Sequence, residues 1–273
     1  MGVGFEWGAG CNVPVARYSN TMISEMHVLA QYLPGGGYGH GFLGVSPIYW
    51  LIFITSMLAS LGVSAMMKHR FRQYSEIPMP LTGAQVAELM LRQNGITDVQ
   101  VVSVPGDLTD HYDPTTKTVN LSEGVFASNS VASAAVAAHE CGHAVQHQQA
   151  YAWLGFRTKM VPAVNLASNM LNMLMIAGFL GLRFFHSPIM LWLWVAFFTV
   201  TTLFAFVTLP VEFDASRRAL AWIDRSGLGA RMEHENARKA LFWAAMTYVV
   251  AALGSLAQLL YYVSLLLGGQ RRD

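Results

Sequence analysis

Two histidines four residues apart, with a glutamate directly after the first, occur in the segment AVAAHECGHAVQHQQ, residues 135–149. On an α-helix, residues four apart lie on one face, so His139 and His143 can direct their rings at a single ion. Glu140 is offset by about 100° and lies beside that ion, where its carboxylate can take a proton from an activated water. The spacing therefore predicts a zinc site with Glu140 as the catalytic base.

A chance match on the surface of a structural helix is the alternative interpretation. In a chain with 9 histidines, random placement gives about 0.01 HExxH matches. The neighbouring residues Val136, Ala137 and Gly142 are uncharged, which suits a buried helix in the floor of a cleft. We therefore favour the zinc site.

A catalytic zinc needs a third protein ligand and one open position for water. His147 continues the four-residue spacing, but the rise of a straight helix carries it too far from His139 for all three histidines to bind one ion. Cys141 is interpreted as a small buried residue rather than a ligand. The third ligand must come from another part of the chain.

The elements that position this site are predicted to include membrane spans. Hydrophobic residues make up 53% of the chain and charged residues only 12%, against about half and about a quarter in a typical soluble domain. Four uncharged stretches have the length of about 20 residues that a helix needs to cross a bilayer. The predicted fold class is a polytopic α-helical membrane protein with a small α+β zinc-metalloprotease domain. Its four transmembrane helices are predicted at residues 47–67, 161–182, 188–209 and 240–267.

Four spans place residues 68–160 and 210–239 on one side of the membrane. These two segments carry 13 of the 17 Lys and Arg residues, so the positive-inside rule predicts that both are cytoplasmic. Residues 68–160 would form the metalloprotease domain with the HExxH helix, and residues 210–239 a helical segment with the third zinc ligand. Residues 1–46 would then be an external segment with an amphipathic helix. They lack the features of a cleavable signal peptide.

Charge and cysteine usage exclude two other classes. The net charge is +1 and the basic residues are dispersed, so no nucleic-acid partner is expected. Cys11 and Cys141 are predicted to lie on opposite sides of the membrane, so no disulfide is expected. Membrane lipid is the predicted surrounding of the spans.

Local signals in residues 68–160 predict a mixed α and β domain. Thr82 and Gln85 form a capping box at the start of a helix that ends at Asn94-Gly95. The segment ITDVQVVSVPG suggests one strand, and HYDPTTKTVNLS suggests two strands around a turn at Asp113-Pro114. Asn129 or Ser130 is predicted to cap the helix that carries the HExxH motif.

Glu212, in LPVEFDASRRAL, is the best candidate for the third ligand. It is placed where the third span emerges on the same side of the membrane as the HExxH helix. The competing acidic residues on that side are Glu76, Glu88, Glu123, Asp214, Asp224, Glu233 and Glu235.

HECGH together with EFDAS resembles the gluzincin arrangement of the membrane CAAX-prenyl proteases and the HtpX proteases. Their later motif reads Glu, aromatic, any residue, Ala, Asp, and the resemblance implies Glu212 as the ligand. The motif's Asp is expected to orient a ligand histidine. Here Ser216 stands in its place, which leaves open whether Ser216 or Asp214 takes that role.

A second resemblance covers most of the chain after the first span. Five blocks occur in the order found in YugP-type membrane zinc metallopeptidases: LTGAQVAELMLRQNGITDV, VPGDLTDHYDPTTKTVNLSEGVF, AAHECGHAVQHQQAY, LPVEFDASRRAL and ARKALFWAAMTYVVAAL. In related gluzincins, the strand before the HExxH helix binds the substrate as an added strand. That implies the same role for residues 117–121, KTVNL, with an ordinary interior strand as the alternative.

The expected function is that of a membrane-embedded zinc endopeptidase that opens to the cytoplasm of a bacterial inner membrane. One zinc ion, Zn²⁺, would be held by His139, His143 and Glu212, with Glu140 as base for attack by zinc-bound water on a protein or peptide substrate. Membrane or misfolded proteins are the expected substrates. A zinc-binding scaffold or chaperone without hydrolytic activity, and a zinc hydrolase of a non-peptide amide or ester, are the alternatives. The donor for the oxyanion stays open among His111, Tyr112 and His234.

Overall fold

The computed structural model describes residues 46–179, 188–228 and 231–269, and this part of the chain is mostly helical with one small sheet. The predicted amphipathic helix of the N-terminal segment falls in residues 1–45, outside the described residues, as does Cys11. The helices are α1 (Pro47–Ser75), α2 (Gly83–Gln93), α3 (Glu123–Ala127), α4 (Val131–Gln148), α5 (Ala152–Phe179), α6 (Pro188–Ser226) and α7 (Arg231–Gly269). The strands are β1 (Gln100–Val104), β2 (His111–Asp113) and β3 (Thr118–Ser122).

Among the described residues, four helices are long and apolar enough to cross a membrane, as many as the sequence predicts. These candidate spans are Pro47–Ser75, Ala152–Ala177, Ile189–Ser226 and His234–Gly268. These four helices include charged residues outside the predicted uncharged stretches, because a helix does not end where hydropathy falls. In particular, α6 continues through Pro210 to Ser226, so Glu212 lies within a long helix rather than after one.

Contacts divide the described residues into two compact units. One unit comprises Ala65–Gly155 and Pro210–Ala245, and it includes the sheet and the HExxH helix. The other unit contains the remaining parts of the four long helices. Its apolar core is rich in aromatic side chains: the Tyr49 ring lies 5.3 Å from the Tyr261 ring, and the Trp194 ring lies 6.0 Å from the Tyr262 ring.

Helices α2 and α4 of the first unit begin where their capping residues predict. The Gln85 amide donates to Thr82 Oγ1 at 3.3 Å, and the Thr82 amide donates to Gln85 Oε1 at 3.0 Å, which completes the capping box. Gly95, with a φ of 71°, follows the end of α2. The Ser133 amide donates to Ser130 Oγ at 3.2 Å, so Ser130 is the N-cap of α4. These short-range predictions are confirmed.

Small side chains let α4 pack deep in this unit. Ala132, Ala135, Ala137 and Ala138 are completely buried in the same core as residues of α2 and β3. A helix of such residues offers little side-chain bulk, so neighbouring backbones can approach it closely. The HExxH motif is thereby held on a rigid, buried element.

The sheet has the strand order β1-β3-β2, with β1 parallel and β2 antiparallel to β3. The predicted strands on either side of the turn at Asp113-Pro114 are therefore confirmed. For KTVNL the structure shows the alternative interpretation, an ordinary interior strand, and not a strand free to bind a substrate. β3 pairs with β1 along its whole length. Just before β2 begins, the Asp110 carboxylate accepts a hydrogen bond from the Ser122 amide at 2.8 Å. β3 is an interior strand, and the edges of this sheet are β1 and β2.

Candidate metal centre

The two histidines of the HExxH motif lie one turn apart on α4. Their ring centroids are 4.8 Å apart, with the ring planes at 84° to each other. His143 is buried and His139 is half-buried. The Nε2 atoms of both rings face Glu212 on α6. The structure thus brings together the three side chains that the sequence predicts as ligands.

The separations between the three side chains fit a single ion. Glu212 Oε2 lies 3.3 Å from His139 Nε2 and 3.7 Å from His143 Nε2, and all three ligand atoms lie within 4.8 Å of one another. Ligands bound tetrahedrally at about 2.0–2.1 Å from one zinc ion are about 3.4 Å apart. Two imidazole nitrogens and one carboxylate oxygen are also the donor set of known catalytic zinc sites. The residues present therefore fit zinc.

The competing acidic residues whose side chains are described do not belong to this group. The assembled set within the described ranges is His139, His143 and Glu212. Glu76 and Glu123 are exposed, and Asp224 lies twelve residues after Glu212 on the same helix, or about 18 Å along its axis. Asp214 is buried but binds other side chains. Glu212 is the acidic residue that the fold places at the two histidines.

Gly142 allows α4 and α6 to approach closely enough to form this group. A Cβ atom at residue 142 would lie 2.6 Å from the carbonyl oxygen of Ala215 and 3.2 Å from its Cα. Such a distance is far inside van der Waals contact, so only glycine fits there. Gly142 and Ala215 are flanked by the ligands, because Gly142 precedes His143 and Ala215 follows Glu212 by three residues.

The Nδ1 atoms of the two histidines have different partners. His139 Nδ1 lies 3.1 Å from Ser216 Oγ, and His143 Nδ1 lies 3.0 Å from Gln146 Oε1. A hydrogen bond at Nδ1 fixes the ring orientation and leaves Nε2 for a metal. Ser216 therefore occupies the position that the Asp of the related motif would take, and it supplies a neutral hydroxyl. Asp214 does not reach His139.

Sequence reasoning missed the role of Gln146. Its Nε2 donates to the carbonyl oxygen of Val211 at 2.8 Å and to Asp214 Oδ2 at 2.9 Å. The local signal was its position three residues after His143, which places the two side chains on neighbouring turns of one face. The sequence alone does not show that Asp214, 68 residues later, completes the contact.

Glu140 is buried beside the metal ligands, and a backbone amide orients it. The Tyr112 amide of β2 donates to Glu140 Oε2 at 3.0 Å. Burial raises the pKa of Glu140 to about 7, and the nearby Glu212 carboxylate adds to this rise, while His139 and the Tyr112 amide oppose it. A carboxylate with a pKa near neutrality can both accept and return a proton at physiological pH.

The two other potential ligands on α4 point elsewhere. His147 is exposed, and its Nδ1 lies 2.8 Å from Tyr112 Oη, so it does not join the ligand group. Cys141 is fully buried, and its Sγ lies 3.6 Å from the Ala87 carbonyl oxygen. Burial raises the pKa of the Cys141 thiol, and Cys141 is not part of the ligand group. The sequence interpretations of His147 as too distant to bind the ion and of Cys141 as a small buried residue agree with these positions.

The three oxyanion candidates are also engaged in other contacts. His111 Nδ1 lies 2.7 Å from the Thr109 carbonyl oxygen, and the Tyr112 hydroxyl contacts His147. His234 Nδ1 lies 3.3 Å from Asp224 Oδ1, at the distal end of α6 from Glu212. The structure places none of these three side chains among the metal ligands. Tyr112 contributes its backbone amide to Glu140.

Comparisons with known proteins agree with the site. Residues 49–267 match the model of a family described as "Putative neutral zinc metallopeptidase". The chain is 41% identical over 226 residues to "Putative membrane protease YugP" of Bacillus subtilis (strain 168). The aligned residues cover 81% of this chain and 99% of that protein. No solved structure matches the chain. The resemblance predicted from the five sequence blocks is therefore confirmed, and with its four apolar helices the chain is a membrane protein that belongs to this neutral zinc metallopeptidase family.

Proposed function

We propose that this chain is a membrane-embedded, zinc-dependent endopeptidase. The observation that carries the proposal is the assembly of His139, His143 and Glu212 within 4.8 Å of one another, with the Glu140 carboxylate buried beside them. Family membership and the similarity to a protein named as a membrane protease support a peptide substrate.

In this proposal, His139 and His143 bind zinc through Nε2, and Glu212 binds it through Oε2. Ser216 and Gln146 hold the two rings by contacts at Nδ1. A bound zinc ion lowers the pKa of a water molecule toward neutrality and polarises the carbonyl of the scissile bond. Three protein ligands leave room for that water, as in other catalytic zinc sites.

Glu140 is the group that transfers a proton from the attacking water. Its carboxylate accepts a proton from the attacking water and passes it to the leaving amine as the peptide bond breaks. The Tyr112 amide keeps one carboxylate oxygen in place, which leaves the other oxygen to exchange the proton.

The substrate would bind as an extended peptide along β2. β2 is an edge of the sheet, and its residue Tyr112 already contacts Glu140, so a strand added there would pass beside the base. The positive-inside rule supports a cytoplasmic site in a bacterial inner membrane, as proposed from the distribution of Lys and Arg. Membrane and misfolded proteins are the substrates that such a location would offer.

Substitutions of Glu140 and Glu212 separate this proposal from its alternatives. In purified full-length protein, Glu140→Gln should retain zinc and lose cleavage of casein or a membrane protein substrate. Glu212→Ala should lose both, and the exposed Glu76→Gln serves as the matched control that keeps both.

Each other outcome points to a defined alternative. Cleavage by Glu140→Gln at the wild-type rate would exclude the enzymatic role of this site. Zinc binding by the wild type without hydrolysis of any peptide would favour a scaffold or chaperone. Hydrolysis of a non-peptide amide or ester, with peptides left intact, would favour a zinc hydrolase of such substrates. Full zinc occupancy in Glu212→Ala would remove only the third-ligand assignment.

A further inference from the structure

Gln146 is completely buried between α4 and α6, and every polar atom of its side chain has a partner. Its Nε2 donates to the Val211 carbonyl oxygen at 2.8 Å and to Asp214 Oδ2 at 2.9 Å. Its Oε1 lies 3.0 Å from His143 Nδ1. A buried amide with all of these groups satisfied has one stable orientation.

The partners of Gln146 determine which end of its amide faces the histidine. Val211 and Asp214 present only acceptors, so they require the NH₂ group of Gln146. Rotating the amide by 180° would place its oxygen against a carbonyl oxygen and a carboxylate, which is repulsive. The carbonyl oxygen of Gln146 therefore faces His143 Nδ1 and accepts its proton in a hydrogen bond.

We propose that Gln146, oriented by Asp214, is the positioning residue that keeps the proton of His143 on Nδ1 and its Nε2 lone pair directed at the metal. This inference deepens the proposed function and depends on it, because it assigns the control of one zinc ligand. Arg217 and Arg218 form ion pairs with Asp214, so the carboxylate that orients Gln146 is itself held in place.

The two zinc ligands on α4 are then controlled in different ways. His139 contacts a single hydroxyl, Ser216 Oγ, whereas His143 contacts an amide that is tied to a buried carboxylate. A hydroxyl can rotate and reverse its hydrogen bond, but the Gln146 amide cannot. His143 is therefore the more rigidly oriented ligand, and Asp214 acts on it only through Gln146.

The test is zinc affinity in the full-length protein, measured by competition with a chromophoric chelator. Gln146→Met keeps the size and burial of the side chain and removes the acceptor for His143 Nδ1. We expect zinc to bind about 10–100-fold more weakly, the usual effect of losing a group that orients a ligand histidine. The matched control is Gln148→Met, an exposed glutamine on the same helix, which should bind zinc as the wild type does.

Asp214→Asn provides a second variant of the same size if Gln146→Met does not give folded protein. It removes the charge that orients Gln146, and we expect roughly tenfold weaker zinc binding. Combined with Gln146→Met it should add little, because both changes act on His143 by one route. Ser216→Ala combined with Gln146→Met should instead be additive, because the two changes act on different histidines.

If Gln146 only stabilised the fold, the variants would give different results. They would lower the unfolding temperature of the zinc-free protein and leave the zinc affinity within about twofold of the wild type. That result, or additive effects of Gln146→Met and Asp214→Asn, would overturn the inference while leaving the proposed function intact. Failure of the wild-type protein to bind zinc would instead overturn the proposed function.

Discussion

Replacing Gly142 with alanine adds one methyl group at a close contact between α4 and α6 in the metal centre. The new Cβ would lie 2.6 Å from the Ala215 carbonyl oxygen, whereas ordinary contacts begin at 3.4 Å. The two helices must therefore separate locally by roughly 0.8 Å. Because Ala215 belongs to the helix backbone, it cannot move aside as a flexible side chain would.

This displacement acts directly on the ligand distances. His139 and His143 lie on α4 and Glu212 lies on α6, so separating the helices lengthens both distances from the histidines to the carboxylate. Zinc ligand distances tolerate changes of about 0.2 Å. We expect the affinity for zinc to fall about 100-fold, or about 2.8 kcal/mol.

The stability of the zinc-free protein should change less than the affinity. Overpacking a tight contact costs about 1–3 kcal/mol, and the better helix propensity of alanine returns about 1 kcal/mol. Gly155→Ala is the matched control, because no atom lies within 4 Å of its added Cβ and it also lies in a helix. It should leave zinc affinity unchanged.

Chelator competition gives the zinc affinity, and thermal unfolding with and without zinc gives the stability that zinc adds. A zinc affinity for Gly142→Ala within about twofold of the wild type would refute the reasoning that this glycine sets the spacing between α4 and α6. An equal loss in Gly155→Ala would show that the effect is not specific to the contact with Ala215.

Three further predictions concern the groups around the ligands. Because burial raises the pKa of Glu140 to about 7, the folded zinc-free protein should bind a proton more tightly than the unfolded chain, and its stability should fall as the pH rises from about 4.5 to 7. This loss of unfolding free energy is about 3 kcal/mol, and Glu140→Gln should remove it in thermal unfolding scans between those two pH values. Parallel curves of stability against pH for the wild type and Glu140→Gln would contradict the prediction. Tyr112→Phe removes the contact with His147 and keeps the hydrogen bond from the backbone amide of residue 112 to Glu140. It should therefore cost about 1 kcal/mol of stability and leave cleavage rates within about threefold, whereas loss of an oxyanion donor would slow cleavage about 100–1000-fold. Ser216→Ala should weaken zinc binding about tenfold in chelator titrations by freeing the His139 ring, and unchanged affinity would show that the hydroxyl does not position it.

Sequence reasoning predicted the features that depend on short-range patterns. The capping box of Thr82 and Gln85 and the N-cap at Ser130 involve residues three apart, so they can be read without knowledge of the fold. The four spans follow from the length of uncharged stretches. The pairing of His139 with His143 follows from helix geometry, and the choice of Glu212 followed from membrane topology and from the resemblance of EFDAS to a known motif.

The features that could not be predicted depend on partners distant in sequence. KTVNL has the same local pattern as an edge or an interior strand, and only the pairing of β1 decides between them. Gln146 is one of several glutamines at the end of its helix, and its importance comes from Asp214. Gly142 looks like an ordinary break in a run of small residues until Ala215 is packed against it.

Zinc K-edge X-ray absorption on the zinc-loaded, full-length protein tests the metal centre most directly. We expect nitrogen and oxygen ligands at about 2.0–2.1 Å from the ion, an imidazole signal from two histidines and no sulfur ligand, with loss of the ion in Glu212→Ala. A sulfur ligand at about 2.3 Å, or an unchanged spectrum in Glu212→Ala, would contradict the assignment of His139, His143 and Glu212 as the zinc ligands.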